Sequence, residues 1–223
     1  MAKYIIGCAG ILLVGIILLV IIAFAMSADS YNKLVSLKQG VDAKWAEVEN
    51  QYERRADLIR NLVQTVSGAA NFEKSTLEDI VKARASVGQV KLDPSQAPTD
   101  PAKLQQFQQA QGQLGNALSR LLVVSENYPN LKSNQNFIDL QVQLEGTENR
   151  ITKARYDFNG AAQSYNTAIQ SFPTVFFAHW FNFTSRPYFQ AKEGSDVPPT
   201  VKFDFNNPPS AAPASAPVPV PTH

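Results

Sequence analysis

Nucleophilic and metal-ligating side chains are scarce in this sequence. Of 223 residues, one is cysteine (Cys8) and two are histidine (His179 and His223). A single cysteine forbids any disulfide within the chain and leaves the compartment open. There is no His-Glu-x-x-His, no glycine-rich phosphate loop and no Gly-x-Ser-x-Gly, so the common signatures of zinc hydrolysis, phosphoryl transfer and serine acyl transfer are missing. The same inventory excludes a histidine/cysteine metal cluster, and no cofactor is expected. An excess of one charge is lacking too. Lys+Arg number 20 against Asp+Glu 19, a net charge of +1, which removes the basic footprint of a nucleic-acid binder.

What the chain has instead is an oily beginning. Residues 5–25 (IIGCAGILLVGIILLVIIAFA) carry no charge and no strongly polar side chain. At about 1.5 Å per residue, a helix of this length crosses a hydrocarbon core of about 30 Å. A buried helix of a water-soluble domain needs polar residues on at least one side, and this stretch has none. Gly7, Gly10 and Gly15 would let a second span approach closely, a route to a homo-oligomer. Ala23-Phe24-Ala25 fits a small-x-small cleavage site behind a short positive region at Lys3. The apolar run, however, exceeds the usual length of about 7–15 residues in a signal peptide, so an uncleaved anchor is expected. Ile5-Ile6-Gly7-Cys8 resembles a lipoprotein box, but no apolar region precedes its cysteine. Lys3 on one side and Lys33, Lys38 and Lys44 on the other leave both orientations open.

Past the run the pattern is helical and amphipathic. Val41, Trp45, Val48, Tyr52, Ile59, Leu62 and Val66 recur in steps of four and three, with Arg55 filling one seam position. A turn is expected between Arg54 and Asp57, with Asp57 as the N-cap of a second helix. That helix would carry Ile59, Leu62, Val66, Ala69, Thr76, Ile80, Ala83 and Val87. Residues 88–101 (GQVKLDPSQAPTDP) hold three prolines and form a loop, and Asp100-Pro101 opens a third helix. Its stripe is Leu104, Phe107, Leu114, Leu118, Leu121 and Tyr128, with Gln111 and Ser125 in the gaps. After the connection Tyr128-Pro129-Asn130-Leu131, a fourth helix runs from about Asn134 to Ser171. Its apolar positions from Phe137 to Phe172 hold unbroken three-four steps, and Pro173 stops it. Four such helices with short connections favour an up-down-up-down bundle.

Topology then carries an implication. If the first helix leaves the bilayer, the fourth points back toward it and delivers residues 175–183 (VFFAHWFNF) to the membrane-proximal end. Aromatic rings favour the headgroup layer. Phe176, Phe177, Trp180, Phe181 and Phe183 are therefore candidate membrane-interface residues, while simple closure of the bundle's base would use the same rings. Val201-Lys202-Phe203-Asp204-Phe205 alternates as a short extended segment, and residues 206–223 form a disordered Pro/Ala-rich tail or a ligand for a proline-binding partner. Residues 1–26 are thus an anchor, 27–205 a helical domain and 206–223 a tail. The carboxylate pairs Glu49/Glu53 and Glu145/Glu148 lack the Glu-x-x-His partners of a di-iron site and read as solvated helix faces. Arg55, Glu73, Glu148 and Arg150 lie near the seam and form a candidate polar layer that sets helix register.

Taken together these residues resemble the LemA family of bacterial membrane-anchored helical proteins. The resemblance extends to about Phe205. It rests on Tyr31-Asn32-x-Leu34-Val35, Trp45-Ala46-x-Val48, and Gln51-Tyr52-x-Arg54-Arg55-Ala56-Asp57-Leu58-Ile59-x-Asn61-Leu62-Val63, with Glu73 and Ala83-Arg84-Ala85. It continues through Tyr128-Pro129-x-Leu131-Lys132, Phe137, Leu140-Gln141, Leu144-Glu145-Gly146-Thr147-Glu148-Asn149-Arg150-Ile151 and Ala154-Arg155. Tyr165-Asn166, Phe172-Pro173 and Tyr188-Phe189 complete it. Arg60 stands where the family usually has proline, and residues 67–72 depart from its Lys-Gly-Tyr-Ala and His-Glu. The resemblance implies a four-helix bundle on one N-terminal span in the bacterial inner membrane, and it brings no established catalytic activity. The expected role is a non-enzymatic scaffold or adaptor that meets the lipid bilayer and protein partners. An accessory or sensor subunit of a membrane protease or envelope-stress system is the alternative.

Overall fold

A computed structural model describes residues 2–68 and 72–191, and every regular element among them is helical. Helix α1 spans Ala2–Ser67, α2 Lys74–Gln89, α3 Pro101–Ser125, α4 Pro129–Lys132, α5 Gln135–Gln170 and α6 Thr174–Trp180. The fold is all-α. Residues 5–25 belong to α1, but side chains there are described only at positions 13–18 and 21. The membrane-span expectation therefore lies mostly outside the described residues. Among the described residues, no helix is long and apolar enough to cross a membrane. The expected extended segment 201–205 and the tail 206–223 also lie outside them.

The turn expected between Arg54 and Asp57 does not exist. Helix α1 runs through that region without interruption to Ser67. Tyr52, Arg55, Ile59, Leu62 and Val66 are all buried, so one seam continues unbroken across positions 54–57, and no glycine or proline there stops it. Asp57 pairs with Arg60 on the surface at 3.5 Å instead of capping a helix. The chain leaves the helix at Gly68, whose N–H still bonds to the Gln64 carbonyl.

The other boundaries follow local chemistry. Pro101 opens α3, and the Asp100 carboxylate accepts the Ala102 N–H at 2.9 Å, satisfying one of the donors a helix start leaves unpaired. Asn134 does the same for α5 by accepting from Asn136 and Phe137. The connection expected at Tyr128–Leu131 contains the single turn α4, with Pro129 at its first position.

Helix directions follow from which residues meet. Trp45 packs on Phe158, and ten residues further along α1 Arg55 bonds to Glu148, ten residues back along α5. These helices are antiparallel. Tyr52 meets Phe107 and Arg55 meets Gln111, so α1 and α3 run parallel. Helix α2 packs along α3, tied by Arg120 to Asp79 at 3.2 Å. Buried side chains gather in two clusters. The one nearer the apolar run includes Leu34, Trp45, Tyr52, Phe107, Phe158 and Phe189. The farther one includes Ile59, Leu62, Ile80, Leu114, Leu121 and Phe137.

Two units make up the chain, residues 1–189 and 190–223, and of the second only Gln190 and Ala191 are described.

Candidate functional site: a polar layer, a side cavity and an aromatic base

Between the two core clusters sits one charged residue. Arg55 falls one turn after Tyr52 and one before Ile59 on the α1 seam, which drives its guanidinium inward. It is buried. Its Nη1 donates to Glu148 Oε2 of α5 at 2.8 Å, and its Nη2 to the Gln111 side-chain oxygen of α3. The guanidinium also lies over the Tyr52 ring, 5.1 Å from its centroid. Gln111 stands between Phe107 and Leu114, and Glu148 between Leu144 and Ile151, so each helix contributes its polar residue at the same level. Glu148 keeps 59% of its side chain exposed. The layer therefore opens to water at one edge, which lowers the cost of burying the arginine.

Of the four residues expected in this layer, the structure brings together Arg55 and Glu148 alone. Arg150 is exposed; two residues past Glu148, it is turned about 200° around the helix. Glu73 lies just before α2, exposed, and accepts the Thr76 hydroxyl at 3.3 Å. Gln111, expected only to fill a gap, is the third member. Its signal in the sequence is a polar residue at a core position of α3.

Beside the layer, α1, α2, α3 and the loop after α2 border a cavity of about 340 Å³ that opens to solvent, lined by Glu49, Glu53, Arg84, Phe107 and Gln111 among others. Glu49 is not the solvated residue expected from its pairing with Glu53. It is half-buried, and its Oε1 is shielded from water without a hydrogen-bond donor. Burial, and secondarily the like charge of Glu53, pushes its pKa up to about 7, because the apolar surroundings penalise the ionised form. No group of three His, Cys, Asp or Glu side chains among the described residues could hold a metal ion. A carboxyl titrating near neutrality, with no Ser, Thr, Cys, Lys or His among the lining residues, can exchange a proton or accept a donor.

The third feature is the end of α5 together with α6. Pro173 turns the chain into α6, whose Ala178 is buried while Phe176 and Trp180 stand 66% and 85% exposed. Four residues apart in α6, these two share one face, and the exposed Phe172 ring meets that of Phe176 with centroids 6.1 Å apart. Phe181 is exposed as well, but Phe177 is half-buried and Phe183 packs against the nearer core cluster. The five expected interface residues thus divide into three that face outward and two that do not. Phe172, expected to continue the α5 stripe, faces solvent because the helix ends before it. The rings of Phe181 and Phe183 meet Tyr31 of α1 at 4.9 and 5.9 Å. Tyr31 lies six residues beyond Ala25, about 9 Å along the axis.

This arrangement can be compared with known proteins. The LemA family model matches residues 44–203. The chain belongs to the LemA family. Among curated relatives of this LemA chain, magnetosome protein MamQ 2 of Paramagnetospirillum magneticum is 29% identical over 186 residues, covering 75% of this chain and 67% of its own. Magnetosome protein MamQ of Magnetospirillum gryphiswaldense is 29% identical over 183 residues, with the same coverage of both chains. Protein LemA of Metamycoplasma hominis is 23% identical over 162 residues, covering 73% of this chain and 69% of its own. The layer, the cavity and the aromatic base all fall within the matched region.

Proposed function

We propose that this LemA chain is a non-enzymatic helical scaffold or adaptor, held in the bacterial inner membrane by residues 5–25 and presenting an up-and-down four-helix bundle to protein partners. One observation carries the reading. Leu13, Val14, Ile16, Ile17, Leu18 and Ile21 are each 50–63% exposed. Six consecutive positions, 13–18, more than encircle a helix of 3.6 residues per turn, so α1 is apolar on every side there with no described residue packed over it. A helix hydrophobic all round needs a protein core or a bilayer to cover it. The antiparallel course of α1 and α5, with α3 parallel to α1, supports the bundle. The contact of Phe181 and Phe183 with Tyr31 supports a base that lies at headgroup depth, about 9 Å past the end of the run. There Phe176 and Phe181 would bury their rings at the interface, and Trp180 would do so while its indole N–H stays wet.

The test uses the full chain in lipid nanodiscs. Spin-labelled lipids with the quencher near the headgroup should quench Trp180 fluorescence more strongly than lipids quenching at the bilayer centre, and the Trp180→Phe variant should lose that difference. Equal, negligible quenching from both depths rejects the interfacial base. Release of the full chain from membranes by alkaline carbonate rejects the anchor.

A further inference from the structure

Residues 184–189 run along α5, held by backbone bonds at Arg186 and Phe189 and by the Asn166 amide donating to the Tyr188 hydroxyl at 2.9 Å. The turn that starts this segment is built by Asn182, at φ 57°. Phe183 N–H bonds to the Ala178 carbonyl and Asn182 N–H to that of His179, the paired bonds that end a helix through a left-handed residue. Pro187 then biases Arg186 to extended geometry.

Two asparagines of α5 receive the segment. Asn166 accepts Arg186 N–H at 2.8 Å and donates to Arg186 C=O at 2.8 Å. Asn159 accepts Phe189 N–H at 2.9 Å and donates to Phe189 C=O at 3.0 Å. Each carboxamide offers one acceptor and one donor side by side, so it pairs with the N–H and C=O of one residue as a neighbouring strand would. The spacing fits both partners: seven helical residues rise about 10.5 Å, and three extended residues span about 10 Å. The backbone of almost any extended segment satisfies such a pair of clamps.

Side-chain selection acts on the same two clamped residues. Arg186 is buried; its Nη1 donates to the Ala97 carbonyl and its Nη2 lies 3.5 Å from the Asp42 carboxylate. Phe189 stacks on Trp45 with centroids 6.1 Å apart, meets Phe158 edge-on at 5.5 Å, and has the Arg155 guanidinium 4.8 Å above it. Main-chain pairing with two side-chain pockets is how protein grooves read extended peptides.

We propose that the groove between α1 and α5 is a peptide-binding site, occupied here by the chain's own segment, and that its external ligand is an extended peptide bearing arginine and, three residues later, an aromatic ring. The proposal is independent of whether the aromatic base meets lipid. A tethered segment competes at an effective concentration of about millimolar, so an outside peptide binds measurably when the inside one is weakened.

The experiment tracks a dye-labelled peptide of residues 183–190 by fluorescence anisotropy against the full chain in detergent. Binding to the Arg186→Ala/Phe189→Ala chain should be saturable and at least tenfold tighter than to the unsubstituted chain. Adding Asn159→Ala/Asn166→Ala should weaken it at least tenfold, as should replacing the peptide's own arginine or phenylalanine with alanine. Failure to bind, or equal binding of a scrambled peptide, overturns the proposal if the Arg186→Ala/Phe189→Ala chain keeps its helical circular dichroism. Should that chain lose its helicity, hydrogen exchange decides on the unsubstituted protein. The amides of Arg186 and Phe189 should exchange at least threefold faster with millimolar peptide than without, and an unchanged rate overturns the proposal.

Discussion

The two core clusters are built on different principles although α1, α3 and α5 run through both. The farther one, around Ile59, Leu62, Leu114 and Leu121, is mostly aliphatic and belongs almost wholly to helices. The nearer one is rich in aromatic rings and recruits residues from outside the long helices. Trp45 donates its indole N–H to the Asp93 carbonyl at 3.0 Å, Ala97 N–H bonds to Asp42 at 2.9 Å, and Phe189 enters from the extended segment. The first cluster needs only helical periodicity. The second also needs particular polar groups to hold irregular backbone, because a buried peptide group without a partner is costly. Arg55 marks the border.

Truncating the centre of each cluster breaks this contrast most severely. Trp45→Ala removes contacts with Phe107, Phe158 and Phe189 and frees the Asp93 carbonyl; a loss of about 4–5 kcal/mol is expected from the buried ring and the hydrogen bond. Leu62→Ala, in the aliphatic cluster, should cost about 3 kcal/mol. Urea midpoints of the full chain in detergent measure both. Equal losses would mean that the loop and extended segment add nothing to the nearer cluster.

Arg55 sharpens the border. Arg55→Ala should cost about 2–3 kcal/mol, because it leaves a cavity and removes the donor that Gln111 faces. Arg55→Met fills the same space with apolar atoms, and the half-exposed Glu148 returns to water, so its loss should be within about 1 kcal/mol of the unsubstituted chain. If both variants are equally destabilised, the guanidinium's bonds to α3 and α5 are required for stability and are not merely a register device. The same unfolding measurement distinguishes the outcomes.

The part of the fold legible in the sequence is the part governed by period and caps. The seam of α1, the start of α3 at Asp100-Pro101 and the length of α5 all follow from spacing. A turn near Asp57 balances the helix lengths, but the seam from Tyr52 to Val66 indicates continuity, and Gly68 marks the true end. The polar layer is half legible. Arg55 and Glu148 announce themselves as charges near a seam, but Gln111 is recognised only when α3 lies beside them, and Arg150 is excluded only by its angle around α5. The clamps are illegible for a different reason. Asn159 and Asn166 look like ordinary polar helix residues, and their function depends on a segment about 20–30 positions away. Long-range pairing of side chain to backbone leaves no periodic trace.

The smallest expected effect concerns the cavity at the border. The Glu49 carboxyl binds its proton more tightly in the folded chain, with a pKa of about 7 against a usual 4.5. Between those values the folded state holds more protons than the unfolded one, so stability must fall as pH rises from about 4.5 to about 7 and then level off. Glu53 on the same helix reinforces the shift, and Arg84 and Gln111 from α2 and α3 line the same space. Because the carboxyl is partly exposed, solvent screening reduces the effect to about 1 kcal/mol. Glu49→Gln removes the charge and keeps the shape. Its urea midpoint should exceed that of the unsubstituted chain at pH 8 and approach it at pH 5. An advantage of the same size at both pH values would show that the ionised carboxylate costs the fold nothing, and the cavity would then be no more demanding of Glu49 than the open face of α1.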